Sequence, residues 1–311
     1  MENRHQDWEL RQMQGLPLAL KVRKTQFRIH EWYDHFDGEV YLSFSGGKDS
    51  TVLQHIIKTM HLDIPSVFVD TGLEYPEVRN FAIENADVVL KPEMNFRQVL
   101  LTYGYPVISK EISKKIYELR NHNLTDAYKN KLLYGSGHPR SKVPDKWLPL
   151  INASFGVSSK CCDIMKKRPF RKYEKETGKV PIMATMACES YLRQQSWMRY
   201  GCNVLDTGKA KSRPMSFWNE EDVLEYLIAN KVPYASVYGE IKMDKSGHLY
   251  TTGLSRTGCM FCAFGAHLES CPNRFQQMQE THPKQYDYCM RPVEQGGLGM
   301  AEVLDYIGID H

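Results

Sequence analysis

Two periodicities alternate along this chain. Val40–Phe44, Ser66–Val69 and Asp87–Leu90 are short runs rich in β-branched and aromatic residues, as expected of buried strands. Between them, Ser50–His61 carries Val52, Leu53, Ile56, Ile57 and Met60 at helical spacing, and Pro76 can open a second helix over Tyr75–Asn85. Before the first run, Pro17–Phe36 gathers Leu18, Val22, Ile29 and Trp32 near one face of an amphipathic helix. Strand and helix in strict alternation predict right-handed βαβ units, hence an α/β fold with a doubly wound, mostly parallel sheet. Later strands are expected at Pro181–Thr185 and Asn203–Asp206, with helices after Asp163 and at Asn219–Asn230.

Two regions break this rhythm. Lys110–Leu150 is polar, rich in Lys, Asn and Tyr, and reads as an inserted helical lid with a mobile loop. From Gly239 onward the chain is irregular, turn-rich and cysteine-bearing. The expected division is therefore an N-terminal helix over 1–37, a nucleotide-binding domain over 38–238 with its insertion at about 110–150, and a cysteine-bearing region over 239–311.

Composition narrows the class. With 25 % charged and 42 % hydrophobic residues among 311, the chain is an ordinary globular one, and a net charge of +3 neither demands nor excludes an anionic partner. No apolar stretch reaches the length of a membrane span, and residues 1–35 lack a signal-peptide core, so the cytoplasm is the expected compartment. There, eight cysteines read as thiols, metal ligands or redox groups rather than a disulfide framework.

The first strand runs straight into "SFSGGKDS". Gly46 and Gly47 allow a sharp turn that brings bare N–H groups to an anion at a helix N-terminus. Lys48 adds a point charge, and Ser45, Ser50 and Thr51 add hydroxyls. Both G-x-x-x-x-G-K-[ST] and G-x-G-x-x-G are absent, which disfavours a Walker-type NTPase and a dinucleotide site. "SFSGGKDS" resembles the pyrophosphate-binding PP-loop of the adenine nucleotide alpha-hydrolase-like superfamily, and "VFVDTGLEYPEV" (Val67–Val78) is similar to the phosphoadenosine phosphosulfate reductase branch. "ESYLR" (Glu189–Arg193) resembles the E-S-x-x-R element of those reductases, and "RPMSFWNEEDVLEYL" with "VPYASVY" the stretch leading to their late cysteines. The likeness runs from about residue 38 to 265. It implies that Ser43, Ser45, Gly46, Gly47, Lys48, Asp49 and Ser50, with Asp70, Thr71 and Gly72, bind ATP or an adenylylsulfate-type nucleotide. It also gives Lys48, Asp49 and Arg193 catalytic roles, Asp49 helping to position Mg²⁺.

Cys161–Cys162 are adjacent, and Cys259 and Cys262 form C-x-x-C. Four thiolates from two loops could enclose a cubane, and the arrangement resembles the 4Fe–4S site of adenylylsulfate reductases. That resemblance makes these four the ligands, with Lys160, Lys166, Arg168 and Arg256 as cations near a net-negative cluster and a polyphosphate. The alternative is structural zinc on Cys259, Cys262, Cys271 and His267 or His282. Cys188 and Cys202 read as apolar buried residues, and Cys271 and Cys289 as candidate sulfur carriers.

The match to the reductases breaks in two places. The C-terminal "PVEQGGLGMAEVLDYIGIDH" has no nucleophilic cysteine, and "MATMAC" (Met183–Cys188) stands where basic residues are usual. The reading that survives is an ATP pyrophosphatase that adenylates an acceptor for sulfur transfer, in the manner of DNA phosphorothioation or tRNA thiolation. Its implied partners are a cysteine desulfurase and a nucleic acid tracked by the basic tracts Lys110–Lys131 and Pro139–Trp147. Two alternatives stay open: a sulfonucleotide reductase with its thiol moved to Cys271 or Cys289, and a zinc-stabilised, non-catalytic nucleotide sensor. Oligomeric state and acceptor are not legible in the chain.

Overall fold

In a computed structural model of the protein, residues 4–138, 141–205 and 210–311 are described. They form two compact units. The first comprises Met1–Asp70, Glu74–Lys91 and Phe170–Thr257, the second Thr71–Leu73, Pro92–Pro169 and Gly258–His311.

Seven strands come first in chain order: β1 (Val40–Phe44), β2 (Ser66–Val69), β3 (Val88–Leu90), β4 (Val107–Ile108), β5 (Val180–Ile182), β6 (Asn203–Val204) and β7 (Lys211–Ser212). All but β4 build one sheet in the first unit, ordered β3-β2-β1-β5-β7-β6. Every pair is parallel except the β6–β7 edge, and β1 carries Leu42 beside Ser66 on one side and Ile182 on the other. Helices α1 (Asp7–Gln14), α2 (Leu18–His35), α3 (Lys48–Thr59) and α4 (Pro76–Asn85) belong to the same unit. Its core joins Ile29 and Trp32 of α2, Val52, Leu53, Ile56 and Ile57 of α3, and Leu42 and Phe44 of β1 to Phe217, Trp218 and Val223. The α/β, mostly parallel architecture is as the alternation of periods implied. The described residues 4–37 are part of this unit.

The differences are local. Helix α2 buries Lys21, Thr25, Ile29 and Trp32, so its innermost stripe begins on a lysine and a threonine that find polar partners. β5 ends at Ile182, although Met183 N still donates to Ser212 O of β7 at 2.9 Å. The strand expected over Asn203–Asp206 stops at Val204, with Asp206 outside the described residues. β7 is two residues long, too short to show a period. A hairpin of β8 (Ile241–Met243) and β9 (Leu249–Thr251) completes the unit.

In the second unit β4 pairs in parallel with β10 (Ala263–Phe264). Around this pair lie helices Phe96–Tyr103, Lys110–Asn121, Asp126–Tyr134, Arg274–Thr281, Pro283–Met290 and Met300–Tyr306. Phe96, Val99, Leu100, Ile116 and Leu132 are buried. The Lys110–Leu150 segment is helical as expected, while Pro139 and Arg140 of its basic tract lie outside the described residues. Among the described residues no helix is long and apolar enough to cross a membrane.

Candidate functional site

The sheet order reverses direction between β1 and β5: β2 and β3 extend one way from β1, and β7 and β6 lie beyond β5. In doubly wound sheets the carboxyl ends of strands at such a point leave a crevice that no crossover helix fills. A cavity of about 490 Å³ opens there, lined by Ser43, by Ser45 and Gly47–Ser50 after β1, and by Met183–Thr185 after β5. Glu189, Ser190, Arg193, Tyr238, Arg256 and Thr257 complete its walls.

The loop after β1 is set by one glycine and a web of hydroxyls. Gly46 has φ +72°, and a Cβ there would lie 2.7 Å from both Ala82 Cβ and Val78 O. Ser50 Oγ donates to Gly47 O at 2.9 Å, Ser45 N donates to Ser50 Oγ at 3.3 Å, and Gly47 N donates to Ser45 Oγ at 3.3 Å. Helix α3 therefore starts on Gly47 with no side-chain cap, its first amides directed at the crevice end of the sheet. Tyr238 takes one of them: Lys48 N donates to its hydroxyl at 3.2 Å, and that hydroxyl shares a hydrogen bond with Thr257 Oγ1 at 2.8 Å.

Lys48 is buried, and its ammonium is already engaged. Nζ donates to Ser255 O at 2.9 Å and lies 3.2 Å from Glu220 Oε1 and 3.5 Å from Asp49 Oδ1. It thus pins the Ser255–Thr257 segment beside the loop. Burial pushes the Asp49 carboxyl up from its ordinary value, against the pull of Lys48 and Arg256. Apart from that ammonium, Asp49 Oδ1 has no hydrogen-bond partner among the described residues, and Thr185 Oγ1 has none either.

The opposite wall is cationic. Ser190 caps the Tyr191–Tyr200 helix by accepting from Arg193 N at 3.3 Å. Glu189 pairs through one oxygen with Arg193 Nη1 and through the other with Arg256 Nη2, and its Oε2 also accepts from Met186 N at 2.9 Å. The E-S-x-x-R pattern is thereby explained locally: serine caps, and glutamate meets arginine one turn on. Burial and the neighbouring Arg256 guanidinium both lower the Arg193 pKa. Arg256, expected as a cation near the cluster and a polyphosphate, lies on the cavity wall, paired with Glu189. Nothing local in "LSRTG" marks Glu189 as its partner, and Tyr238 and Thr257 were missed because nothing local marks them either.

Of the other predicted nucleotide ligands, Asp70 does not line the cavity. Arg79 holds its carboxylate by two bonds, 2.6 Å from Nε and 2.7 Å from Nη2. Thr71 and Gly72 belong to the second unit, where Leu73 N donates to Thr71 Oγ1 at 3.2 Å.

All four predicted metal ligands fall in the second unit. The Cys161 and Cys162 sulfurs are 3.9 Å apart, and Cys262 N donates to Cys259 O at 3.2 Å, closing the C-x-x-C turn. The two pairs feel each other's charge. The hydrogen bond with Cys162 and burial both raise Cys161, and Cys262 and Cys259 push it further in the same direction. The same bond lowers Cys162 to about 6, against burial and with help from Lys110 and Lys166. Burial raises Cys262 to about 11. Among the described residues, however, no group of three or more His, Cys, Asp or Glu side chains is drawn together as a metal site. Lys160 is held by Tyr117, its Nζ 2.9 Å from the phenol oxygen and 4.3 Å from the ring centroid.

Of the remaining cysteines, Cys289 and Cys188 depart from expectation. Cys289 is fully buried and burial pushes its thiol up, which is the wrong state for a sulfur carrier. Cys271 is exposed. Cys188 is exposed rather than buried and donates to Trp218 O at 3.4 Å; burial of the sulfur raises it, against Arg256. Cys202 is buried as expected.

A sequence model of the phosphoadenosine phosphosulfate reductase domain matches residues 39–133 and 130–264. The chain belongs to that family. It is 24 % identical to a phosphoadenosine 5'-phosphosulfate reductase of Synechococcus over 68 % of this chain and 75 % of that one. Two uncharacterized proteins of Methanocaldococcus jannaschii are 26 % and 23 % identical over 75 % and 91 % of the chain, which spans only 38 % and 55 % of their lengths. Among solved structures, the phosphoadenylyl-sulfate reductase of Candida auris in its phosphate complex aligns with TM-score 0.39 and 12 % identity, over 80 % of this chain and all of that one.

Proposed function

Taking that family as the premise, we propose that the protein is an adenine-nucleotide enzyme. It binds the anionic tail of ATP in the β1/β5 crevice and adenylates an acceptor oxygen, which sulfur then replaces. The observation that carries this reading is the placement of one uncapped helix N-terminus and two guanidiniums, Arg193 and Arg256, on facing walls of a single cavity. Backbone amides and guanidinium forks both recognise phosphate, and charge that develops on a departing pyrophosphate is best stabilised by donors fixed beforehand. In the reaction the acceptor oxygen attacks the α-phosphorus, the α–β bridging bond breaks, and pyrophosphate leaves. Displacement of AMP by a sulfur nucleophile completes the exchange. Asp49 Oδ1, which among the described residues meets the Lys48 ammonium and no hydrogen-bond partner, suits a Mg²⁺ ion held directly or through water.

The four cysteines suit a 4Fe–4S cluster by chemistry: two pairs within mutual electrostatic range, with Lys110 and Lys166 beside Cys162 to offset a net-negative group. Bound there, a cluster would supply a site for sulfur binding or relay. A cysteine desulfurase is the partner such chemistry requires, and a nucleic acid is the acceptor that the basic Lys110–Lys131 tract suits.

The test is incubation of the full chain with ATP, Mg²⁺, a desulfurase and tRNA or DNA, followed by assay of pyrophosphate and AMP. Anaerobic reconstitution with iron and sulfide should give a brown protein with about four irons per chain, lost when Cys161, Cys162, Cys259 and Cys262 are all replaced by serine. Inertness with every acceptor would refute the adenylation reading, and a colourless zinc protein would refute the cluster. Family membership favours one further reading, a sulfonucleotide reductase using Cys271, exposed where Cys289 is not. It predicts sulfite release from adenylylsulfate with thioredoxin, abolished in Cys271→Ser.

A further inference from the structure

Two guanidiniums on one wall of a cavity repel each other unless something holds them together. Arg193 stands on a helix and Arg256 on a segment 63 positions later, so no local geometry aligns them. Glu189 does. Each of its carboxylate oxygens takes one terminal nitrogen, Nη1 of Arg193 and Nη2 of Arg256. Its side chain is 11 % exposed, against 41 % for Arg193 and 52 % for Arg256. The carboxylate is thus fixed inside the wall while the guanidiniums retain open edges. A guanidinium has five N–H donors, so one bond to Glu189 leaves each fork with donors for a second anion. The backbone N–H of Met186, bound to Oε2 at 2.9 Å, stops the carboxylate from turning away.

We propose that Glu189 is a positioning residue: it aligns Arg193 and Arg256 as a two-guanidinium clamp for the anionic tail of the bound nucleotide, without touching the nucleotide itself. This rests on the nucleotide-site reading above. The consequence is a specificity for charge on the ligand, separable from recognition of its base and sugar. Losing the carboxylate lets the two cations separate, and a phosphate chain then meets one guanidinium at a time.

The experiment is calorimetric titration of the full chain with ATP and with adenosine, for the wild type, Glu189→Gln, Arg256→Gln and the double variant. Glutamine retains an oxygen for Met186 N but loses the charge that holds two guanidiniums. Glu189→Gln is expected to weaken ATP binding about tenfold, the scale of one charge-assisted contact, with adenosine binding unchanged. In the Arg256→Gln background the same change is expected to cost less than about twofold, because the clamp it organises is already broken. Unchanged or tighter ATP binding in Glu189→Gln would overturn the proposal, as would equal losses for ATP and adenosine or a full loss in both backgrounds. A poorly folding Glu189→Gln would leave Arg256→Gln, which spares the Met186 contact, as the probe. Wild-type affinity for ATP no greater than for adenosine in that comparison also overturns it. A wild type that binds neither ligand removes the nucleotide reading itself, a result distinct from every other.

Discussion

Lys21 Nζ donates to both carboxylate oxygens of Asp222, 2.6 Å from each, across 201 positions of sequence. The pair joins α2 to the Glu220–Ala229 helix, with side chains 2 % and 10 % exposed, and Asp222 also accepts from Asn219 N at 2.8 Å to cap its helix. Replacing Lys21 by methionine strands a carboxylate in the core and is expected to destabilise the protein by about 3–5 kcal/mol in urea titration. Adding Asp222→Leu removes the stranded charge and should restore part of that loss, less the capping bond. A Lys21→Met protein as stable as wild type would show that water reaches the carboxylate.

Gly46 is irreplaceable for two separate reasons, its positive φ and the 2.7 Å approach to Ala82 and Val78. Gly46→Ala is expected to lose about 1–3 kcal/mol of stability to strain alone, more with the clash, and to abolish nucleotide binding with it. Thermal unfolding and ATP titration of the same preparation check both effects.

Lys48 pins Ser255 O and neighbours two carboxylates, so Lys48→Met removes a structural contact as well as a charge. The expected result is a loss of about 1–3 kcal/mol, with new proteolytic cleavage around Ser255 in the absence of any ligand. Cleavage no faster than in wild type would confine the lysine to ligand binding.

The Asp49 carboxyl is raised above its ordinary 3.8 by burial. A raised acid favours the folded state while protonated, so its contribution is full below 3.8 and declines as pH rises through the folded value. Asp49→Asn is therefore expected to melt higher than wild type at pH 7, with the gain shrinking as the pH is lowered toward 3.8. Mg²⁺ should raise the wild-type melting temperature and leave that of Asp49→Asn unmoved. Melting curves across pH, with and without Mg²⁺, decide both points.

Much of this site was written in short stretches. "VYLSFSGGKDSTVL" carries its strand, turn and helix because apolar period, glycine and hydroxyls follow one another within a few residues. Arg193 was reached through the resemblance of "ESYLR" to a reductase element, and the structure supplies its local reason, a Ser190 cap and an i,i+4 pair with Glu189. Tyr238 and Thr257 carry no such mark, nor does the pairing of Arg256 with Glu189. Arg256 enters the site through Glu189, 67 positions away, Tyr238 through Lys48, 190 positions away, and Thr257 through Tyr238. Asp70 shows the converse. Its motif suggested a ligand contact, but Arg79, one helical stretch onward, takes the carboxylate.

What the chain by itself determined was the period of its elements, and with it a parallel sheet ending in an anion-binding turn. Periodicity is a property of neighbours, so it survives without tertiary knowledge. Only the folded structure decided which side chains face that turn. The order β3-β2-β1-β5 places the end of β5 beside the loop, and burial determines which charges there must pair with each other. Those choices depend on distances between residues far apart in the chain, and no local pattern encodes them.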